Sequence, residues 1–267
     1  MTRPAPLHAR RRQALAALGA FAGAALSGRA ALAQGVGDTA SVVAAAKPSV
    51  FAVGLFSRAQ KPAFRFAGTC FAIDGGRFVT CAHVAQVFDP NSRDMLAISV
   101  PTVEGNRAIE VKVTASRREN DLAILEPVSP LPLPIRALRL ANTLPAEGTE
   151  IILIGFPIGS ALGLIPASHR GMVAAVVPMA MALPTTTGLE ARNVQALRST
   201  PIEVLQLDAT AYPGNSGGPV IDVRTGLVVG VVSMTLVKNT RESAMSAPSG
   251  ISYAVPVQQL AGLIPVM

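Results

Sequence analysis

A serine among glycines, Gly214-Asn215-Ser216-Gly217-Gly218, lies between Pro213 and Pro219. The prolines fix φ and cannot donate to a sheet ladder, so the stretch is a loop. The glycines permit positive φ and leave room for close backbone approach. Such a loop can hold a hydroxyl beside converging backbone N–H groups, the arrangement an acyl-transfer nucleophile needs. The same residues also suit a glycine-rich turn with a surface serine. The choice depends on a base and an orienting acid elsewhere in the chain.

The chain has three histidines. His8 falls in the N-terminal segment discussed below. His169, in Ala167-Ser168-His169-Arg170, reads as loop surface. His83 follows the strand-like Phe78-Val79-Thr80-Cys81, where a side chain can reach a cleft. It is the candidate base, against the alternative of a structural or merely exposed histidine. Asp121 sits where polar Glu119-Asn120 enters apolar Leu122-Ala123-Ile124-Leu125. A part-buried carboxylate there can accept from one imidazole nitrogen and fix the tautomer; a turn-capping or solvated carboxylate is the alternative. Asp208 competes, but its strand leads directly into the serine loop and it reads as structural.

The elements that must hold these groups are short strands. Runs at 49–55, 70–73, 78–81, 97–100, 110–114, 122–125, 150–155, 171–177, 204–208, 220–222, 227–233 and 251–255 are β-branched, apolar or alternating. Turn signals separate them, and helical periodicity is scarce, which argues for an all-β sandwich or barrel. Four prolines in residues 127–134 suit an extended crossing between two halves. Residues 178–200 read as a long loop or exposed hairpin. A short helix is expected within 257–263.

The first 33 residues read as an export signal. Arg10-Arg11-Arg12 precede an alanine-rich apolar run, and Ala31-Leu32-Ala33 has the small-x-small pattern of a cleavage site. The arginine pair suggests the twin-arginine route, with Sec export as the alternative. The run is too short to span a bilayer, and no stable membrane anchor is expected after cleavage. The whole chain carries 23 Lys+Arg and 16 Asp+Glu, a net charge of +7. Five of the arginines lie in the signal, leaving +2 and no case for a nucleic-acid partner.

Taken together, Thr80-Cys81-Ala82-His83, Asn120-Asp121-Leu122-Ala123-Ile124-Leu125 and Gly214-Asn215-Ser216-Gly217-Gly218-Pro219 resemble the trypsin-like serine peptidases, most nearly the bacterial HtrA (Deg) branch. Gln206-Leu207-Asp208-Ala209 and Gly250-Ile251-Ser252-Tyr253-Ala254-Val255-Pro256 extend the likeness, which covers roughly residues 45–258. The resemblance implies two antiparallel Greek-key β-barrels with the site in the cleft between them. The expected organisation is a signal at 1–33, a first barrel at 34–130, a crossing at 131–146 and a second barrel at 147–267. It implies His83, Asp121 and Ser216 as a catalytic triad, and the N–H groups of Gly214 and Ser216 as an oxyanion hole. It places Thr210, Ala211, Ser233 and Ile251 around the substrate pocket. None of these is charged, which favours a small or medium aliphatic side chain beside the scissile bond. Protein or peptide substrates, no cofactor, and a periplasmic or secreted location follow. A silent protease-fold binding or chaperone-like module is the alternative.

Two departures stand out. Only 11 residues follow Pro256, where HtrA-type enzymes usually carry PDZ domains, so PDZ-driven sensing is not transferred. Residues 34–47 lack the aromatics wanted for a family-type trimer contact, and the oligomeric state stays open. Cys70 and Cys81 flank Asp74-Gly75-Gly76-Arg77. With Gly75-Gly76 as a two-residue turn, Cys70 faces Cys81, and a disulfide is expected in an exported protein, with two buried free thiols as the alternative. A single C-x₁₀-C pair has no matching ligand cluster, so no metal site is expected.

Overall fold

Each of the twelve strand-like runs between residues 49 and 255 overlaps a strand. The computed structural model describes residues 38–89, 92–159, 163–179, 202–233 and 250–264. The first half gives β1 (Val50–Phe56), β2 (Phe64–Ile73), β3 (Arg77–Thr80), β4 (Met95–Thr102), β5 (Gly105–Arg117) and β6 (Leu122–Pro127). The second gives β7 (Glu150–Gly155), β8 (Ala167–Pro178), β9 (Glu203–Asp208), β10 (Pro219–Asp222), β11 (Val228–Val232) and β12 (Ile251–Pro256). The twelve pairings between these strands are all antiparallel.

Each half closes into a six-stranded barrel, in the order β1-β2-β3-β6-β5-β4 and β7-β8-β9-β12-β11-β10. The two orders are the same, although the sequence carries no repeat. Alternation explains the closure. In β7, Ile151 and Leu153 point into the second barrel, with Val173, Leu205, Leu207 and Val229. Ile152 and Ile154, one step along, join the core shared with the first barrel. Tryptophan is absent; aliphatic side chains fill the second interior, and in the first they are joined by Phe51, Phe71 and Phe78. Burying each contributes about 1.5–3 kcal/mol relative to exposure.

The proline-rich stretch leaves β6 at Pro127 and reaches β7 at Glu150. It touches both halves: Leu138 N–H donates to Ala72 O, and Leu140 bridges to Val228. Among the described residues there are two α-helices, α1 (Thr39–Ala46), capped by the Asp38 carboxylate, and the single turn α2 (Ala82–Ala85). The expected C-terminal helix is a 3₁₀ turn, Val257–Leu260. The expected signal segment, and all but the first two residues of the 178–200 loop, lie outside the described residues.

The β2–β3 hairpin corrects the cysteine pairing. Ile73 faces Arg77, Ala72 faces Phe78 and Phe71 faces Val79. The turn is therefore three residues, Asp74-Gly75-Gly76, with both glycines at positive φ (78° and 69°). The Arg77 side chain folds back to donate to Asp74 O at 3.2 Å. One extra turn residue shifts the register by one and reverses which face each partner presents. Cys70 then lies across from Thr80, and Cys81 falls beyond the strand as the residue preceding α2. Both are buried free thiols, not a disulfide.

Candidate active site

Asp121 ends a 3₁₀ turn, Arg118–Asn120, in a left-handed backbone conformation (φ 51°, ψ 40°). Asp tolerates that region better than most residues, at a cost of order 1 kcal/mol. The turn is braced by the C-terminal segment: Asn120 Nδ2 donates to Gln259 Oε1, and Arg117 donates to Gln259 O and Ala261 O. The kink turns the Asp121 carboxylate toward α2.

His83 occupies the second position of α2. Its backbone N–H donates to Asp121 Oδ1 at 3.0 Å, and its Nδ1 lies 2.9 and 2.8 Å from Oδ1 and Oδ2. Asp121 O in turn accepts from Ala82 N–H, so helix and turn lock each other. A carboxylate can only accept, so Nδ1 carries the proton and Nε2 keeps its lone pair. The His83 side chain is 31% exposed, the Asp121 side chain 13%. Burial pushes the Asp121 carboxyl up. Donation from the His83 ring, its charge, Ser233 and the His83 backbone outweigh this and hold it below the usual carboxylate value.

The serine loop is fixed by its carbonyls. Tyr212 O accepts from Asn215 N–H, Pro213 O from Ile158 N–H, Asn215 O from Gly218 N–H and Ser216 O from Thr69 N–H. Gly214 O accepts from Thr69 Oγ1 at 2.7 Å. Five consecutive carbonyls are thus bonded into the fold. Gly214 adopts φ +103°, and a Cβ there would meet Phe156 O at 2.3 Å. Gly217 adopts φ +88°, and a Cβ would come within 2.0 Å of Thr69 O. Only glycine fits either place.

Strand β2 joins the loop to the histidine. Thr69 holds Ser216 and Gly214 and accepts from Thr80 Oγ1, three residues before His83. At Gly68 a Cβ would strike both the Val84 side chain and Ser216 O. The nucleophile loop and the helix carrying the imidazole therefore converge on one stretch, Gly68-Thr69. Thr69 carries no signal in its own neighbourhood, and its role was not legible before folding.

The Ser233 hydroxyl is fully buried and donates to Asp121 Oδ2 at 2.6 Å, a contact with the carboxylate that the sequence reading did not anticipate. Ala211 is buried, Thr210 half-buried and Ile251 exposed at the rim of the second barrel. Asp208 is exposed at the end of β9. His169, expected on a surface loop, lies within β8 on the inward face opposite Leu153. Its ring packs 5.7 Å from that of Tyr212, and burial pushes its pKa down.

A family model for the trypsin-like peptidase domain matches residues 68–231. The chain belongs to that family. The HhoA putative serine protease of Synechocystis is 29% identical over 72% of this chain and 40% of its own length. Putative protease Do-like 14 of Arabidopsis thaliana is 25% identical over 74% of this chain and 40% of its own length. This trypsin-like chain thus spans less than half the length of these relatives. Among solved structures, the Rv3671c protease of M. tuberculosis in its active form shares the fold, with TM-score 0.56 and 23% identity. That match covers 83% of this chain and 81% of the other. The paired barrels are the chymotrypsin-like double barrel.

Proposed function

We propose that the chain is an exported serine endopeptidase of the HtrA type, acting through an acyl-enzyme on Ser216. The observation that carries this is the seating of His83 Nδ1 on the Asp121 carboxylate at 2.8 Å. The contact leaves Nε2 to accept the Ser216 proton as Oγ attacks the peptide carbonyl. His83 then gives that proton to the leaving amine, and Asp121 stabilises the imidazolium in between.

The oxyanion hole is assigned to the N–H groups of Gly214 and Ser216. The inward-turned carbonyls of residues 212–216 leave the opposite side of the loop to donors, which favours a developing oxyanion. Thr210, Ala211 and Ile251 supply an uncharged neighbourhood for a small or medium aliphatic side chain. The twin-arginine-like or Sec-type segment supports a periplasmic or secreted location, and the proposal includes a role in envelope protein quality control.

The test is turnover of an unfolded protein and of a peptide library by the mature chain. Cleavage abolished in Ser216→Ala, after mostly aliphatic residues, is the expected result. Cleavage after mostly Lys or Arg would overturn the pocket assignment. Cleavage unchanged in Ser216→Ala would overturn the mechanism.

A further inference from the structure

Cys81 has no part in the chemistry above, yet it lies against the dyad. One ligand atom from each of Cys81, His83 and Asp121 lies within 4.8 Å of the other two. The fold makes this cluster; the spacing of the two cysteines in the sequence does not. The expectation of no metal-ligand cluster is therefore corrected.

We infer that Cys81 Sγ, His83 Nδ1 and an Asp121 oxygen form an inhibitory site for a thiophilic divalent cation of the zinc or cadmium kind. The inference rests on the peptidase role proposed for His83. Sulfur, imidazole nitrogen and carboxylate oxygen are the donors that four-coordinate zinc takes, at about 2.0–2.3 Å. Tetrahedral bonds of that length set ligand atoms roughly 3.3–3.7 Å apart. The present separations, from 2.8 Å between Nδ1 and Oδ2 up to the 4.8 Å limit, bracket that range. A thiolate and a carboxylate neutralise a divalent ion, so the occupied buried site carries no net charge. The His83 side chain, 31% exposed, gives the cation a way in from the cleft.

Binding would disable the base by a tautomer change. The cation needs the Nδ1 lone pair, so the imidazole proton moves to Nε2. Nε2 can then no longer accept from Ser216, and Asp121 exchanges its bond from Nδ1–H for a bond to metal. The thiol proton, donated to Val232 O in the metal-free protein, leaves to solvent as the sulfur–metal bond forms. Oxidative control of Cys81 is disfavoured, because burial and the Asp121 charge oppose the thiolate that oxidants attack.

The experiment titrates the folded mature chain with cadmium or zinc, following peptide hydrolysis and the ultraviolet cadmium–thiolate charge-transfer band. Wild type and Cys70→Ala should show one band-forming site and lose activity in step with it. In Cys81→Ala the band should vanish and the inhibitory concentration rise at least about tenfold, with metal-free activity kept. Cys81→Ser, closer in shape, gives the same comparison should the alanine variant fold poorly. No band in wild type, or equal inhibition of the Cys81 variants, overturns the inference. The band does not depend on turnover. A band in a protein that hydrolyses nothing supports the site and overturns the peptidase reading.

Discussion

Ser233 Oγ, in the second barrel, donates to Asp121 Oδ2, in the first, at 2.6 Å across 112 positions of sequence. The bond ties the orienting carboxylate to the half of the molecule that carries Ser216. It also continues β11, whose Val232 O accepts from Gly217 N–H and from Cys81 Sγ. One turn of backbone at Val232-Ser233 thus touches the serine loop, the thiol and the dyad.

Ser233→Ala should lower kcat by about 5- to 30-fold with little change in KM, because a buried charge-assisted hydrogen bond contributes about 1–2 kcal/mol. The same change should alter acid sensitivity. Asp121 is held below its ordinary value of 3.8, so its stabilising contribution is full above that value and is lost as pH falls through the lowered one. Removing the Ser233 donor moves the lowered value upward. Chemical denaturation from pH 7 down to about 3 should therefore show the variant less stable than wild type at pH 7, with the difference shrinking as pH falls below the ordinary value. Identical pH profiles would contradict the assignment.

Thr69 is the joint between loop and dyad. Thr69→Val keeps the shape and removes the hydroxyl that donates to Gly214 O and accepts from Phe156 N–H. Each buried backbone group left unpaired costs about 1–3 kcal/mol. Turnover should fall on the order of tenfold to several hundredfold, and thermal unfolding should shift down. Thr69→Ser should restore most of both. A valine variant as active and as stable as wild type would show that the hydroxyl does not matter.

The cysteine state is directly measurable. Alkylation of the denatured, unreduced protein should add two labels, and reductant should change neither the count nor the melting temperature. Protection of both thiols until reduction would restore the disulfide.

Strand positions were legible because β-branched and apolar runs alternate with turn residues. Ser216, His83 and Asp121 were legible from their immediate neighbours: the glycines of the loop, the Thr80-to-His83 run, and the polar-to-apolar step at Asn120-Asp121-Leu122. What stayed hidden depended on single-residue register or on contacts between the barrels. Gly75-Gly76 fits a two-residue or a three-residue turn equally by composition, and the choice decides whether Cys70 meets Cys81. Arg77, folding back on the turn, decides it. His169 looks like loop surface by composition, yet the β7–β8 pairing turns it inward beside Tyr212. Ser233 follows an apolar strand and gives no local sign that its hydroxyl reaches Asp121. The nearness of Cys81 to that carboxylate follows from the left-handed backbone at Asp121, which neighbouring residues do not announce.

The central claim is that Asp121 and His83 activate Ser216 for acyl transfer. Fluorophosphonate modification of the mature protein, read by intact mass and located by peptide mapping, tests it most directly. The account predicts one adduct on Ser216, none in Ser216→Ala, and modification of Asp121→Asn slowed on the order of 10⁴-fold, because the asparagine presents the wrong partner to Nδ1. A folded wild type that takes no adduct, or one modified as fast when Asp121 is replaced, would contradict it.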